Sequence, residues 1–521
     1  MSWSYARAHS RIMGFSSDAP QIVVERFDRD FGARLRDIRA RSGRGETAGR
    51  PLYNLPEGVA VVSDSVHIYV NLINYDEKRL DQGRETEASH KRALAFLHHH
   101  YAALDRVVED AGAQRVDFHG ARLHAVIVEP AGEENAQERV ARGLRLALDM
   151  IALSDAADRT FRDGSYGARF RVGIDTGQCV AIDSGRSDER EPLFVGSAAN
   201  HAAKLADGDQ AGIFLSPRVR GIFNMGHATS SLARTPAADA DEIAQVLRAD
   251  PATRGVQSIL DAATERRVTM WRDDLREQRA ATAAPEDFHF HVHRLPLATI
   301  DYQALMPSNS IRMAAASIFA DIDGYTAYID QAMAGHAVAE AVRNLHVIRS
   351  ELNAVVQEDF CGRKVRFVGD CIHGLLADGA GTSVDLRETV DVAAQCAGGL
   401  RSSFDLCRAL LPNISQLGLA IGFELGETPI SRVGIRGERA VRVASSKATI
   451  ASEAAQALCD GEQTRMGDAA WAEASHGLRA FFPGQVAESL TYDDVAFQAP
   501  GSNAAAAAPE PVPAERNHFT P

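Results

Sequence analysis

The chain repeats itself across 521 residues, and that constrains its fold more than any other feature. VDFHGARLHAVI at 116–127 matches VRFVGDCIHGLL at 365–376, with Gly120 and Gly369 lying 249 positions apart. FRVGIDTGQ at 170–178 matches LAIGFELGE at 419–427, where Gly173 and Gly177 meet Gly422 and Gly426 at the same spacing. A third pair, VVSDSVHIYV at 61–70 and IFADIDGYTAYI at 318–329, sets Asp64 against Asp321 at a spacing of 257. Three blocks in one order mean a duplicated domain. Each copy reads strand, helix, hairpin, helix, strand. In the second copy SIFADI is a strand, 336–358 a helix, KVRFVGD and CIHGLL a hairpin, 390–411 a helix and LGLAIGFELGE a strand. This βαββαβ order is the ferredoxin-like arrangement, so the expected class is α+β.

The remaining segments divide around the copies. Residues 1–55 read as an appendage to the first domain, with weak helical patterning near 23–38. The first domain is expected over 56–233, a charged helical connector over 234–306, the second domain over 307–495, and a disordered Ala/Pro/Gly-rich tail over 496–521. In the connector, FHFHVHRL at 288–295 alternates like a half-buried strand, which accounts for its histidines better than a metal does. His98, His99 and His100 are consecutive on a helix, so their side chains diverge and cannot share one ion; a solvated or partly buried helix face is expected. The net charge of −14 argues against sequence-independent nucleic-acid binding, which needs a basic footprint. Six cysteines without CxxC spacing read as free thiols, and no apolar run spans a membrane, so a cytoplasmic protein is expected.

The chemistry concentrates in the second copy. Asp321 ends one strand, and Asp370 sits at the turn of the neighbouring hairpin. Two carboxylates on adjacent strand ends can bridge divalent cations, and hard cations take oxygen ligands shared with a triphosphate. The loop after Asp321 runs Ile322, Asp323, Gly324, Tyr325, Thr326 and opens a helix. There Gly324 lets backbone N–H groups approach phosphate. Cys371 follows Asp370 but is expected to face away, as a core thiol rather than a nucleophile.

SIFADIDGYTAYI, VRFVGDCIHG and PLFVGSAANHAAKL together resemble the catalytic domains of class III nucleotide cyclases, over about 56–225 and 307–490. Such domains work as head-to-tail pairs, so the resemblance implies a pseudo-dimer within this chain, or a homodimer. It implies metal ligands Asp321, Ile322 and Asp370 holding two divalent cations, Mg²⁺ or Mn²⁺. Gly324, Tyr325 and Thr326 would bind substrate. Asn200 would orient the ribose, Lys204 would neutralise the transition state, and Arg436 would hold the outer phosphates. Lys204 stands where the family usually has arginine, and keeps the charge without the bidentate fork. In the first copy Asp64 is matched to the first metal aspartate and Ala121 replaces the second. In the second copy Ala448 and Ser452 are matched to Asn200 and Lys204. The copies have lost opposite halves of the apparatus, as one composite site and one degenerate site require.

The resemblance places Asp117 and Leu193 beside the base, and neither purine pair of the family is present. An ionised Asp117 can only accept hydrogen bonds. PLATIDYQALMPSNSIRMAAASIFADIDGYT and the HGARLH hairpin resemble tandem-domain cyclases of bacterial Pycsar anti-phage systems, which make cyclic UMP or cyclic CMP for a separate effector. This implies a pyrimidine triphosphate, UTP ahead of CTP, with GTP or ATP and a non-catalytic nucleotide sensor as the alternatives. No nucleic-acid or membrane partner is implied.

Overall fold

The computed structural model describes residues 2–32, 34–35, 52, 55–161, 167–184, 191–225, 231–251, 263–273, 285–435 and 439–496. The expected tail from 497 onward and Arg436 lie outside the described residues. Strands are numbered here in chain order: β1 Val23–Arg26, β2 Val59–Leu72, β3 Gln114–His119, β4 Arg122–Ile127, β5 Phe170–Ser184, β6 Glu191–Val195, β7 Gly212–Leu215, β8 Phe290–His291, β9 Ser310–Asp323, β10 Arg363–Val368, β11 Cys371–Leu376, β12 Asp378–Ala380, β13 Ser383–Asp385, β14 Gly418–Val433, β15 Val441–Ala444, β16 Gln463–Met466 and β17 Val486–Glu488.

The two halves have the same sheet. The first runs β3-β4-β2-β5-β6, with β1 parallel to β2 and β7 parallel to β5. The second runs β10-β11-β9-β14, with β15 and β16 on β14, β17 beyond, and β8 parallel to β9. Within each, the first four strands follow the ferredoxin-like order. Two helices cover one face: Glu87–Asp110 and Ala136–Phe161 in the first half, Val338–Ala354 and Leu386–Leu410 in the second. Strand alternation separates core from cleft. Ile318 and Ala320 enter the helical core, while Phe319 and Asp321 line a cleft. Ile68 and Val70 enter the first core, while Tyr69 lines the same cleft.

Each half also completes the other's core. Val180, Ile182, Leu193 and Val195 of the first half pack with Tyr325, Tyr328 and Ile329 of the second. Val433, Val441 and Val443 of the second pack with Tyr75, Leu97 and Tyr101 of the first. Equivalent helices are capped across the boundary: Ser197 N donates to Asp330 Oδ1 at 3.1 Å and Lys447 N to Glu85 Oε1 at 2.5 Å.

The strand register corrects one sequence pairing. Ser65 faces Gly177 on β5, and Ala315 faces Gly426 on β14, so the central strands align at a spacing of 250. The residue standing where the second half has Asp321 is therefore Asn71, not Asp64. Asp64 lies seven residues back along β2, where it meets Arg26 at 3.8 Å. The first half has lost both metal carboxylates. A second correction comes from close approach of strand to helix. A Cβ on Gly177 would meet Ala198, and one on Gly426 would meet Ala448. Ala448 thus matches Ala198, and the counterparts of Asn200 and Lys204 are Ile450 and Ala454 rather than Ala448 and Ser452. Ser452 is buried and donates to Ser317 Oγ at 2.9 Å.

Two further expectations shift. The N-terminal helix Tyr5–Asp18 docks on the second half, not the first. Arg11 holds Glu351 at 2.7 Å and Asp359 at 2.8 Å, and Trp3 Nε1 donates to Ser403 Oγ at 2.8 Å. Strand β1 then pairs with β2, so the segment straps both halves. In FHFHVHRL only Phe290–His291 is a strand, while Phe288 is buried against the first half. His98, His99 and His100 are all buried rather than solvated, with Gly434 N donating to His98 Nδ1 at 3.1 Å across the boundary.

Candidate active site

The cleft between the halves encloses about 1500 Å³. The two carboxylates matched to metal ligands come from the second half. Cys371 on β11 lies next to Asp321 on β9, since Ile372 pairs with Ala320. Asp370, one residue earlier in the hairpin turn, is therefore brought beside Asp321. Gly369 permits this turn with φ of 64°, as Gly120 does in the first half with φ of 51°. Asp370 senses the Asp321 charge. Burial raises the Asp370 pKa well above the ordinary carboxylate range, and the Asp321 charge adds to the rise. Burial also raises Asp321, followed by repulsion from Asp323, against a smaller downward pull from Lys204.

Lys204, from the first half, lines the same cleft as Asp321. Asn200, one helical turn earlier on Ser197–Ala206, donates through Nδ2 to Thr326 Oγ1 at 2.9 Å. The fold thus brings Asn200 and Lys204 to Asp321, Asp370 and the loop Gly324-Tyr325-Thr326. Gly324 has φ of 81° and precedes the helix Tyr325–Ala334. Ile322 keeps its side chain in the core, leaving its main chain at the loop.

The donor set suits a hard divalent cation. Asp321, Asp370 and the Ile322 carbonyl offer only oxygen, and the Asp321 charge raises the Asp370 pKa, a repulsion that a cation beside both would relieve. Cys371 needs correcting: cross-strand neighbours share a face, so it lies on the Asp321 side and lines the cleft. Burial first, then Asp321 and Asp370, push its thiol well up, which leaves it a poor nucleophile.

Asp117 and Leu193 line the same cleft. Asp117 is in an ion pair with Arg366 of the second half. Tyr69 lines it too: burial raises its hydroxyl, with smaller contributions from Asp117 and Asp370. Its ring stacks on His124 at 4.1 Å, as Phe319 stacks on His373 at 4.3 Å in the second half. Sequence reasoning missed Tyr69 and Arg366. Their only available signal was position, since they match Phe319 and Asp117 in the repeat.

At the locus related to this site by the duplication, charged side chains that line the cleft pair with one another. Glu453 contacts Arg122 at 2.7 Å and His119 at 3.4 Å, and Arg122 also reaches Asp207 at 3.0 Å. Burial opposes the Glu453 charge, but His119 and Arg122 pull its pKa down to about 2. The first half puts Ala121 here and the second Ile450 and Ala454, so the locus has neither metal carboxylates nor the amide and ammonium pair.

Residues 82–236 match the family model described as the adenylate and guanylate cyclase catalytic domain. A protein named uridylate cyclase from a Rhizobium species is 43% identical over 495 residues, 94% of each chain. Another uridylate cyclase, from Pseudomonas aeruginosa, is 36% identical over 491 residues, 92% of this chain and 88% of that one. The crystal structure of a class III adenylyl cyclase-like ATP-binding protein from Pseudomonas aeruginosa superposes with a TM-score of 0.82 at 34% identity, covering 95% of this chain and 99% of that one.

Proposed function

The chain belongs to the class III nucleotide cyclase family, and on that premise we propose that it converts UTP to 3′,5′-cyclic UMP and pyrophosphate at one composite site. The single observation that carries the site assignment is the Asn200–Thr326 hydrogen bond, which joins the ribose-orienting helix of one half to the phosphate loop of the other. The two relatives named uridylate cyclase support the choice of base. The reciprocal packing of the halves supports a head-to-tail pseudo-dimer within one chain.

In this reading the ribose 3′-oxygen attacks the α-phosphorus, the bond to the β-phosphate oxygen breaks, pyrophosphate leaves, and the hydroxyl proton passes to solvent. Asp321, Asp370 and the Ile322 carbonyl would hold divalent cations. Those cations, when bound, supply positive charge to the triphosphate and the attacking oxygen. Asn200 fixes the ribose so that the attack is in line. Lys204 places an ammonium where negative charge builds during transfer. The N–H groups around Gly324 receive phosphate oxygens at the helix start. The product would serve as a second messenger for a cyclic-nucleotide-responsive effector in anti-phage defence, made in the cytoplasm. Among the described residues no helix is long and apolar enough to cross a membrane.

Incubation with each of the four nucleoside triphosphates and Mn²⁺, with products resolved by chromatography, tests this. Cyclic UMP is expected to dominate. Dominant cyclic CMP or a cyclic purine nucleotide would replace the substrate. Nucleotide binding without any cyclic product would favour a sensor, the second reading, which the ATP-binding structural relative supports.

The carboxylate pair also predicts a pH signature. Both pKa values are raised in the fold. The pair therefore adds most stability when protonated, below the ordinary carboxylate range of about 4, and loses it as pH rises through the raised values. A bound cation offsets that loss. The rise in melting temperature on adding Mn²⁺ should be larger at pH 8 than at pH 5. An equal rise at both, measured by scanning calorimetry, would detach the cation from this pair.

A further inference from the structure

Asp117 and Arg366 stand at the same place in the two copies, 249 residues apart, on β3 and β10. They carry opposite charges and meet across the cleft. Arg366 is only 6% exposed, whereas the Asp117 side chain is 33% exposed, with its Oδ2 buried and its Oδ1 the oxygen that meets Arg366. The guanidinium is tied on several sides: Nη1 contacts both Asp117 Oδ1 and the Phe118 carbonyl, and Nη2 donates to the Arg442 carbonyl at 2.7 Å. A planar fork held this way fixes the direction of the carboxylate it touches.

We infer that Arg366 is a positioning residue for base selection: from the metal-binding half, it holds Asp117 as a directed, acceptor-only group at the base edge. The inference rests on the proposed UTP cyclase reading and deepens it. A carboxylate paired with a guanidinium is charged and offers no donor. Uracil carries an N–H at ring position 3, whereas cytosine carries a lone pair there. An anion fixed at ring position 3 accepts from uracil and repels cytosine, whereas one that drifts to position 4 accepts from the cytosine amino group instead, so the direction of the carboxylate decides the base. A buried polar site rejects an analogue lacking its partner far more strongly than an apolar pocket rejects one of a different size. If Asp117 loses its tether, or becomes an amide that can also donate, the contrast shrinks. Base choice therefore depends on the two halves being docked, because acceptor and tether come from different ones.

The test compares wild type, Arg366→Met, Arg366→Lys and Asp117→Asn with UTP, CTP and 3-methyl-UTP, which lacks the N–H. Both kcat/KM and equilibrium affinity are measured. Wild type is expected to prefer UTP over CTP and over 3-methyl-UTP. Arg366→Met should lower the UTP:CTP ratio about tenfold or more, chiefly through KM, and Arg366→Lys should restore part of it. Asp117→Asn should lower the ratio similarly, and the double variant should lower it no further. If Arg366→Met slows UTP and CTP equally, or wild type does not distinguish UTP from 3-methyl-UTP, the inference falls. Should Arg366→Met not fold, Asp117→Asn and the methylated substrate decide alone: an unchanged ratio overturns it. A wild type that makes no cyclic nucleotide from any triphosphate refutes the proposed function, and the affinity ratios still decide the role of Arg366.

Discussion

Asp370→Ala should abolish cyclic-nucleotide formation while the protein stays folded. The loss should be ~10³-fold or more, since a metal site supplies several kcal/mol of charge stabilisation and each ~1.4 kcal/mol is tenfold in rate. The fold should tolerate the change for two reasons. The left-handed backbone of the turn belongs to Gly369, so alanine at 370 meets no new strain. The first half already carries this arrangement, with Ala121 after Gly120 in the matching turn. Removing the carboxylate also relieves its repulsion with Asp321, so without metal at neutral pH the melting temperature should hold or rise. The Mn²⁺-dependent part of the melting shift should vanish. Near-normal turnover in this variant would remove the carboxylate pair from the mechanism. Loss of activity accompanied by loss of the folding transition would leave Asp321→Asn to decide the same point, through the same two measurements.

What the sequence made legible follows from what repeats preserve. The hairpins at 116–127 and 365–376 kept their turn glycine, so both were visible, and the second placed Asp370. The helix GSAANHAAKL was visible through its own residues, which located Asn200 and Lys204. The paired copies failed where no geometric residue marked the register. Asp64 looked like the mate of Asp321 because both are strand aspartates, yet the ladder gives that place to Asn71. The helix 447–457 slid by two, since only the contact of Gly426 with Ala448 fixes it, and contacts are not written in a single chain. The N-terminal helix could not announce its partner. Its arginines suit any acidic groove, and the groove formed by Glu351 and Asp359 lies more than three hundred residues away. The Asp117–Arg366 pair was hidden for the same reason. Opposite charges at equivalent positions become informative only once the halves are known to face each other.

Lys204→Ala should lower kcat by about 10²–10³-fold with little change in KM, the scale seen when one preorganised group facing developing charge is removed. Lys204 is exposed and lines the same cleft as Asp321, so its removal leaves no buried gap and the fold should persist. Lys204→Arg should keep activity, because a cation remains and a planar fork suits phosphate. Mixing decides which chain supplies it. Asn200 reaches Thr326, and Ser197 reaches Asp330, within a single chain. Each half also buries apolar side chains of the other, and separating them would expose Val180, Ile182, Val433 and Val443 to water. A site closed within one chain cannot borrow from another, so adding inactive Asp370→Ala protein to weakly active Lys204→Ala protein should yield no activity beyond what Lys204→Ala shows alone. Partners that exchanged halves would instead rebuild one intact site per mixed dimer. Recovered turnover after mixing and refolding would therefore overturn the single-chain pairing, yet leave the roles of Lys204 and Asp370 standing.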